Sequence, residues 1–96
     1  MKALVLVYNA AIESMVSSCM KECGIESYTK FPRIHGAGRS AGPRLDTHVW
    51  PGLNNALLVV SEDEKLGAMT EKIRDLKARH SREGIKAFIL PVEEII

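Results

Sequence analysis

Strand-like and helix-like hydrophobic patterns alternate along this chain of 96 residues in the order β-α-β-β-α-β. Residues 3–8 (ALVLVY) and 55–61 (NALLVVS) are continuous apolar runs, which is the pattern of strands buried on both faces. Residues 25–34 (IESYTKFPRI) read as a strand from their alternation and aromatic content. Residues 85–96 (IKAFILPVEEII) read as a last strand that Pro91 bends or interrupts. This order restricts the chain to folds in which two βαβ-like halves share one sheet.

The two stretches between these strands have helical periodicity. The first, over residues 10–23, has apolar residues at every third or fourth position and follows Asn9, a favourable N-cap residue. The second, from about residue 62 to residue 80, has one apolar and one charged face. Ser61 and Glu64 have the spacing of an S-x-x-E capping box at its start. Two amphipathic helices are therefore predicted.

Together these elements give the split βαβ arrangement. We predict a single domain over residues 1–96 of the α+β class, a ferredoxin-like βαββαβ fold whose four-stranded antiparallel sheet carries two helices on one face. Pro32 predicts an edge position or a bulge for the second strand, because proline cannot donate to a sheet ladder. The helices leave one sheet face uncovered, and a chain this short has a thin core. We therefore expect another subunit to cover that face.

Composition and charge exclude several classes of protein. With 46% apolar and 26% charged residues, the chain has the composition of a soluble globular domain. A net charge of +1 argues against bulk electrostatic binding of nucleic acid. The apolar N-terminal run is too short to span a membrane and lacks a signal-peptide cleavage site. We expect a cytoplasmic protein without membrane insertion, and, since no nucleophile–base pair is evident, one that is not an enzyme.

The segment between the second and third strands is rich in glycine and in cations. Glycine allows successive backbone N–H groups to converge on an anion, and arginine can bind phosphate or carboxylate in a bidentate manner. Its closely spaced glycines are Gly36, Gly38 and Gly42. The cations around them, in a stretch without a carboxylate between Glu26 and Asp46, are Lys30, Arg33, Arg39 and Arg44. The pattern favours a loop that binds an anionic ligand or partner over a merely solvated loop.

Two stretches resemble the PII-like nitrogen-regulator family of signalling proteins. Residues 36–42 (GAGRSAG) are similar to the Gly-Phe-Gly-Arg-x-x-Gly that opens that family's long T-loop. Residues 84–96 (GIKAFILPVEEII) are similar to its last strand, Gly-Lys-Ile-Phe-Val-x-Pro-Val-Glu. The resemblance implies a compact homotrimer with ligand clefts between subunits. Classical members bind ATP or ADP there together with 2-oxoglutarate, and the T-loop changes shape to control a partner protein.

The resemblance also implies a set of ligand-binding residues. In this sequence they are Gly36, Gly38, Arg39, Ser40, Gly42, Gly84 and Lys86. The family's phosphate-binding turn, Thr-Gly-Lys-x-Gly-Asp-Gly-Lys, corresponds here only to HSREGIK, residues 80–86, and no C-terminal Arg-x-Arg precedes Ile96. The ligand is therefore left open between an adenine nucleotide and another small anion.

Histidine and cysteine pairs suggest other chemistry. His35 and His48 flank the glycine-rich loop and could bind a transition metal, which would suit a metal-responsive trimer of the related divalent-cation-tolerance type. A trimeric scaffold without a ligand is the other alternative. Cys19 and Cys23 could bind a soft metal or form a redox pair, but they lie on the apolar stripe of the first helix. That position favours core packing.

Overall fold

The computed structural model describes residues 1–36, 53–80 and 84–96. Its strands are β1 (Lys2–Asn9), β2 (Thr29–Ile34), β3 (Asn54–Ser61) and β4 (Ile85–Pro91). Its helices are a short 3-10 helix (Ala10–Ile12), α1 (Glu13–Glu22) and α2 (Asp63–Arg79). The predicted α+β, ferredoxin-like βαββαβ fold is confirmed. No helix in this described part of the chain is long and apolar enough to cross a lipid bilayer.

The four strands form one antiparallel sheet in the order β2-β3-β1-β4. The central strand β1 pairs with β3 along its whole length and with β4 on its other side. The end of β1 at Asn9 is therefore level with the start of β3 at Asn54 and close to the start of β4 at Ile85. The end of β2 at Ile34 lies there as well, opposite Asn54. We call this end of the sheet, where β1 and β2 end and β3 and β4 begin, the loop end.

The hydrophobic core lies between one face of the sheet and the two helices. Alternate side chains of the two central strands are almost fully buried: Leu4, Leu6, Tyr8, Leu57 and Val59. The helical residues that cover them are Ile12, Val16, Met20, Leu66, Met69, Ile73 and Leu76. Cys19 and Cys23 are free, half-buried thiols that pack against this cluster, as predicted, and burial raises the pKa of both thiols.

The sheet face opposite the helices is apolar and, within the described residues, uncovered. The strand registers place its side chains on one surface: Val5, Val7, Phe31, Ala56, Leu58, Val60, Phe88 and Leu90. Phe31, Phe88 and Leu90 are each 48% exposed. We call this surface the open face. Exposed aromatic and aliphatic side chains grouped on one surface are typical of a protein–protein interface.

The ends of the two helices differ from the sequence-based prediction. Asn9 acts as a cap, but of the 3-10 helix, where its Oδ1 accepts a hydrogen bond from the Ala11 N–H at 2.8 Å. The predicted capping box of Ser61 and Glu64 is wrong. Ser61 is the last residue of β3, and Glu62 is the N-cap of α2 without a side-chain hydrogen bond. Pairing with β1 keeps Ser61 in β3, and α2 begins one residue later than predicted, so Glu64 is its second residue and not the third that a capping box requires.

Strand β2 is an edge strand with a bulge, as Pro32 predicted. Phe31 lies opposite Ala56, and the register then shifts by one residue before Ile34 reaches Asn54. Within this bulge Arg33 has φ +56°, in the left-handed region that residues other than glycine rarely adopt. The bulge immediately precedes the glycine-rich segment.

We expect Gly24→Ala to lower the stability of the fold. Gly24 has φ +72°, and its N–H donates to the Lys21 carbonyl at 3.1 Å while the Ile25 N–H donates to the Met20 carbonyl at 2.9 Å. This is a Schellman C-cap, and a Cβ in the left-handed conformation costs about 1–2 kcal/mol. Thermal unfolding should show a midpoint lowered by roughly 4–16 °C.

Gly67→Ala is the matched control. A Cβ added at Gly67, within α2, meets no atom closer than 4 Å. Alanine in a helix interior is more favourable than glycine by about 0.5–1 kcal/mol, so the midpoint should rise. Shifts of the same sign in both variants would contradict the assigned cap.

Candidate functional site

Two of the predicted ligand-binding residues lie at the loop end of the sheet, next to its two outer strands. Gly36 follows β2, and Gly84 precedes β4. Asn9 donates its N–H to the Gly84 carbonyl at 3.0 Å, and Ala10 donates its N–H to the Leu53 carbonyl at 2.6 Å. The turn after β1 thus contacts both the residue that precedes β3 and the residue that precedes β4. The predicted binding segments 36–42 and 84–86 both begin at the loop end.

The other predicted residues fall partly outside the described chain. Lys86 is exposed on β4 opposite Val7, so it projects from the open face near the loop end. His35 is exposed directly after β2. The predicted residues that lie outside the described residues are Gly38, Arg39, Ser40, Gly42 and His48. Residues 1–36, 53–80 and 84–96 contain no cluster of three or more potential metal ligands, and the pair His35 and His48 stays a prediction.

A polar cluster on the helix side of the loop end was not predicted. Glu13, the first residue of α1, accepts three hydrogen bonds on Oε1: from the Tyr8 hydroxyl at 2.6 Å, from Asn55 Nδ2 at 2.8 Å and from Lys30 Nζ at 3.1 Å. The Ser17 hydroxyl donates to its Oε2 at 3.3 Å. We call Tyr8, Glu13, Lys30 and Asn55 the Glu13 cluster. Its members come from four different elements of the fold, and no sequence motif links them.

The Glu13 cluster corrects one expectation about the loop's charge. The sequence predicts that Lys30 is available to an anionic ligand, but its ammonium group forms an ion pair with Glu13 on the helix side of the sheet. Lys30 pairs with Leu57 of β3, and the Leu57 side chain is in the core. Paired residues of neighbouring strands project to the same side, so the Lys30 side chain points away from the open face. The cations that remain for an anion are Arg33, Arg39 and Arg44.

The Glu13 cluster shifts the pKa values of Glu13 and Tyr8 in opposite directions. Burial raises the pKa of Glu13, but hydrogen bonds from Tyr8, Lys30 and Asn55 and the charge of Lys30 outweigh that effect and lower it overall. Burial and the hydrogen bond to Glu13 raise the pKa of the Tyr8 hydroxyl well above its usual range. At neutral pH the cluster therefore contains a carboxylate and a neutral phenol.

These shifts predict how stability depends on pH. The pKa of Glu13 is lower in the folded than in the unfolded chain, so its contribution to stability is complete above the ordinary value of 4.5 and is lost as pH falls through the lowered pKa. Below about pH 5, the free energy of unfolding should therefore fall less steeply with decreasing pH in Glu13→Gln than in the wild-type protein. Urea unfolding midpoints measured from pH 7 downwards test this, and equally steep acid limbs in both proteins would contradict it.

Comparison with known proteins places the chain in a family. The model of the family "Nitrogen regulatory protein P-II" matches residues 1–96. The chain belongs to the P-II family. No curated protein matches its sequence. The resemblance deduced from residues 36–42 and 84–96 is thereby confirmed over residues 1–96 of this P-II protein.

Solved structures share the fold of this P-II protein at low sequence identity. A PII-like signalling protein from Thermus thermophilus is 20% identical, with 92% of this chain and 82% of that chain covered and a TM-score of 0.65. CPII from Thiomonas intermedia, bound to ADP and bicarbonate, is 16% identical, with 97% and 88% covered and a TM-score of 0.69. The apo form of CPII is 15% identical, with 95% and 89% covered and a TM-score of 0.65. The likeness shows a shared fold.

Proposed function

We propose that this P-II protein is a signalling protein that binds a small anionic ligand at clefts between the subunits of a homotrimer. Ligand binding would change the shape of residues 36–50 and so control a partner protein. The observation that carries the proposal is the loop end, where Asn9 and Ala10 donate hydrogen bonds to Gly84, at the start of the second predicted binding segment, and to Leu53, which precedes β3.

The open face supports the homotrimer. Phe31, Phe88 and Leu90 are about half exposed in the single chain, and Val5 and Val7 between them are only half-buried. Burying apolar surface stabilises an assembly by about 25 cal/mol for each Å² removed from water. Every copy of the chain carries the same apolar surface, so three copies arranged around a threefold axis can bury their open faces against one another.

The position of Lys86 links the trimer to the ligand. Lys86 lies on the open face, one residue from Ile85 at the loop end, and opposite Val7. A subunit packed on the open face would therefore place Lys86 at the rim of the interface, close to Gly84 of the same chain. A cation at that position can bind the phosphate or carboxylate of a ligand in an intersubunit cleft.

The class of ligand follows from the glycines, the arginines and the related structures. Glycine-rich backbone and arginine guanidinium groups both bind anions. CPII has been solved with ADP, AMP and bicarbonate and with acetate, all of which are anions at neutral pH. An adenine nucleotide or a small carboxylate-like anion is therefore the ligand class that we propose for this protein.

A thermal-shift screen of the wild-type protein tests the function. ADP, ATP, 2-oxoglutarate, bicarbonate and phosphate are each added in excess. A ligand present at about 100 times its Kd stabilises the folded state by about 2.7 kcal/mol, which raises the midpoint by several degrees. We expect at least one of these anions to do so. No shift with any of them would contradict the proposal, and a shift with Zn²⁺ or Ni²⁺ that His48→Ala abolishes would favour the metal-responsive alternative.

A further inference from the structure

We propose that Glu13 is a positioning residue for residues 36–50. Through Asn55 it holds the bulge of β2, which leads into those residues, in its observed conformation. In this way it influences the affinity for anionic ligands. The inference about affinity rests on the proposed function. Its structural part, the control of the bulge by Glu13, can be measured independently.

The first step is the orientation of the Asn55 side chain. Asn55 is buried, with 7% of its surface exposed, and its amide has a donor end and an acceptor end. A carboxylate can only accept hydrogen bonds, so Glu13 must face the donor, Nδ2, at 2.8 Å. The acceptor, Oδ1, is then directed to the Arg33 N–H at 3.2 Å. The charge of Glu13 thus determines which end of the amide meets the bulge.

The second step is the backbone of Arg33. Its φ of +56° is unfavourable for a residue with a Cβ, and such a conformation persists only where surrounding contacts hold it. Asn55 supplies one such contact at the point where β2 has lost its regular pairing with β3. Without this acceptor, the left-handed conformation of Arg33 loses one of the hydrogen bonds that stabilise it.

The third step is the number of elements that Glu13 joins. It bonds Lys30, three residues before Arg33 on the same strand, and it follows directly on the 3-10 helix. The backbone of that turn, at Asn9 and Ala10, donates to the residues preceding β4 and β3. The Glu13 carboxylate therefore connects β2, the strand that leads into residues 36–50, to the turn after β1. That turn contacts Leu53 and Gly84, which precede β3 and β4. Loss of its charge should loosen the entry to the loop without removing any predicted ligand-binding residue.

The test compares Glu13→Gln with the control Glu22→Gln. Glu22 lies on the same helix and forms an ion pair of similar geometry with Lys72, 2.7 Å from its Nζ, but at the other end of α1. Two quantities are measured for each full-length protein: hydrogen exchange of the Arg33 amide, and the affinity for ADP and for bicarbonate by calorimetry. In Glu13→Gln we expect faster exchange at Arg33 and affinity weakened by about 2- to 30-fold, the range of couplings carried by residues that do not touch a ligand. Glu22→Gln should change neither quantity.

A second variant guards against a folding defect in the first. Asn55→Ala leaves Glu13 with its other partners, Tyr8 and Lys30, and removes the acceptor of the Arg33 N–H directly. It should reproduce both effects. Unchanged exchange at Arg33 in both variants overturns the positioning role, and faster exchange with unchanged affinity overturns its link to binding. A wild-type protein that binds neither ADP nor bicarbonate overturns the proposed function for those ligands, and the inference about affinity with it.

Discussion

The variant Phe88→Asp is expected to be a monomer of 10.6 kDa, whereas the wild-type protein should have about three times that mass. Phe88 lies on the outer strand β4 of the open face, opposite Val5 of the central strand β1. Burial of a phenylalanine contributes about 1.5–3 kcal/mol, and an unpaired carboxylate in an apolar interface costs several kcal/mol more. Since a trimer contains three copies of the substitution, association should fail at micromolar concentration.

Ile89→Asp is the matched control for this experiment. Ile89 is the next residue of the same strand and is similarly exposed, at 42% compared with 48% for Phe88. It points to the opposite side of the sheet, where it lines a groove with Leu66 and Thr70 of α2. Light scattering on a size-exclusion peak should therefore show a trimer for Ile89→Asp. A wild-type monomer, or a trimer that survives Phe88→Asp, would contradict an interface through the open face.

The second large effect is expected from Arg39→Ala in the presence of an anionic ligand. Arg39 follows the Gly-x-Gly of residues 36–38, and the resemblance of residues 36–42 to the family's loop motif implies that it is the arginine of that motif. A hydrogen bond that involves a charged group is worth about 1.5–3 kcal/mol, which corresponds to affinity weakened by about 10- to 150-fold. Calorimetry or the thermal-shift titration should show this loss for whichever anion stabilises the wild-type protein.

Arg74→Ala is the control for Arg39→Ala. Arg74 is an exposed arginine of α2 that forms an ion pair with Glu71 of the same helix. Removing an exposed ion pair of this kind changes stability by about 0–1 kcal/mol and should leave ligand binding unchanged. A ligand that binds Arg39→Ala as tightly as the wild-type protein would show that the loop is not its binding site.

Local patterns in the sequence were sufficient to predict most of the fold. The continuous apolar runs at 3–8 and 55–61 became the two central strands, because a strand with neighbours on both sides has few solvent-exposed positions. Pro32 predicted the edge position and the bulge of β2, since proline lacks the N–H that an inner strand must donate. The S-x-x-E pattern at Ser61 failed because pairing along the whole of β1 kept that serine in β3.

The candidate site was predictable only in part. Residues 36–42 and 84–96 each resemble a family motif, and antiparallel pairing is enough to bring the end of β2 and the start of β4 to the same end of the sheet. The Glu13 cluster could not be predicted, because its members are up to 47 positions apart and belong to different elements. Glu13 alone looks like an ordinary acidic residue in the first turn of a helix.

By itself, then, the sequence determined the order of the elements, the apolar character of both sheet faces and the residues of the loop motif, because each depends on side-chain types at short spacing. The tertiary structure alone decided the side of the sheet on which Lys30 lies and the partners of Glu13. The side on which Lys30 lies depends on the register of β2 against β3, and the partners of Glu13 depend also on how α1 packs against β1 and β3. A shift of one residue in that register would move every side chain of β2 to the other face, and no short-range pattern in the chain specifies it.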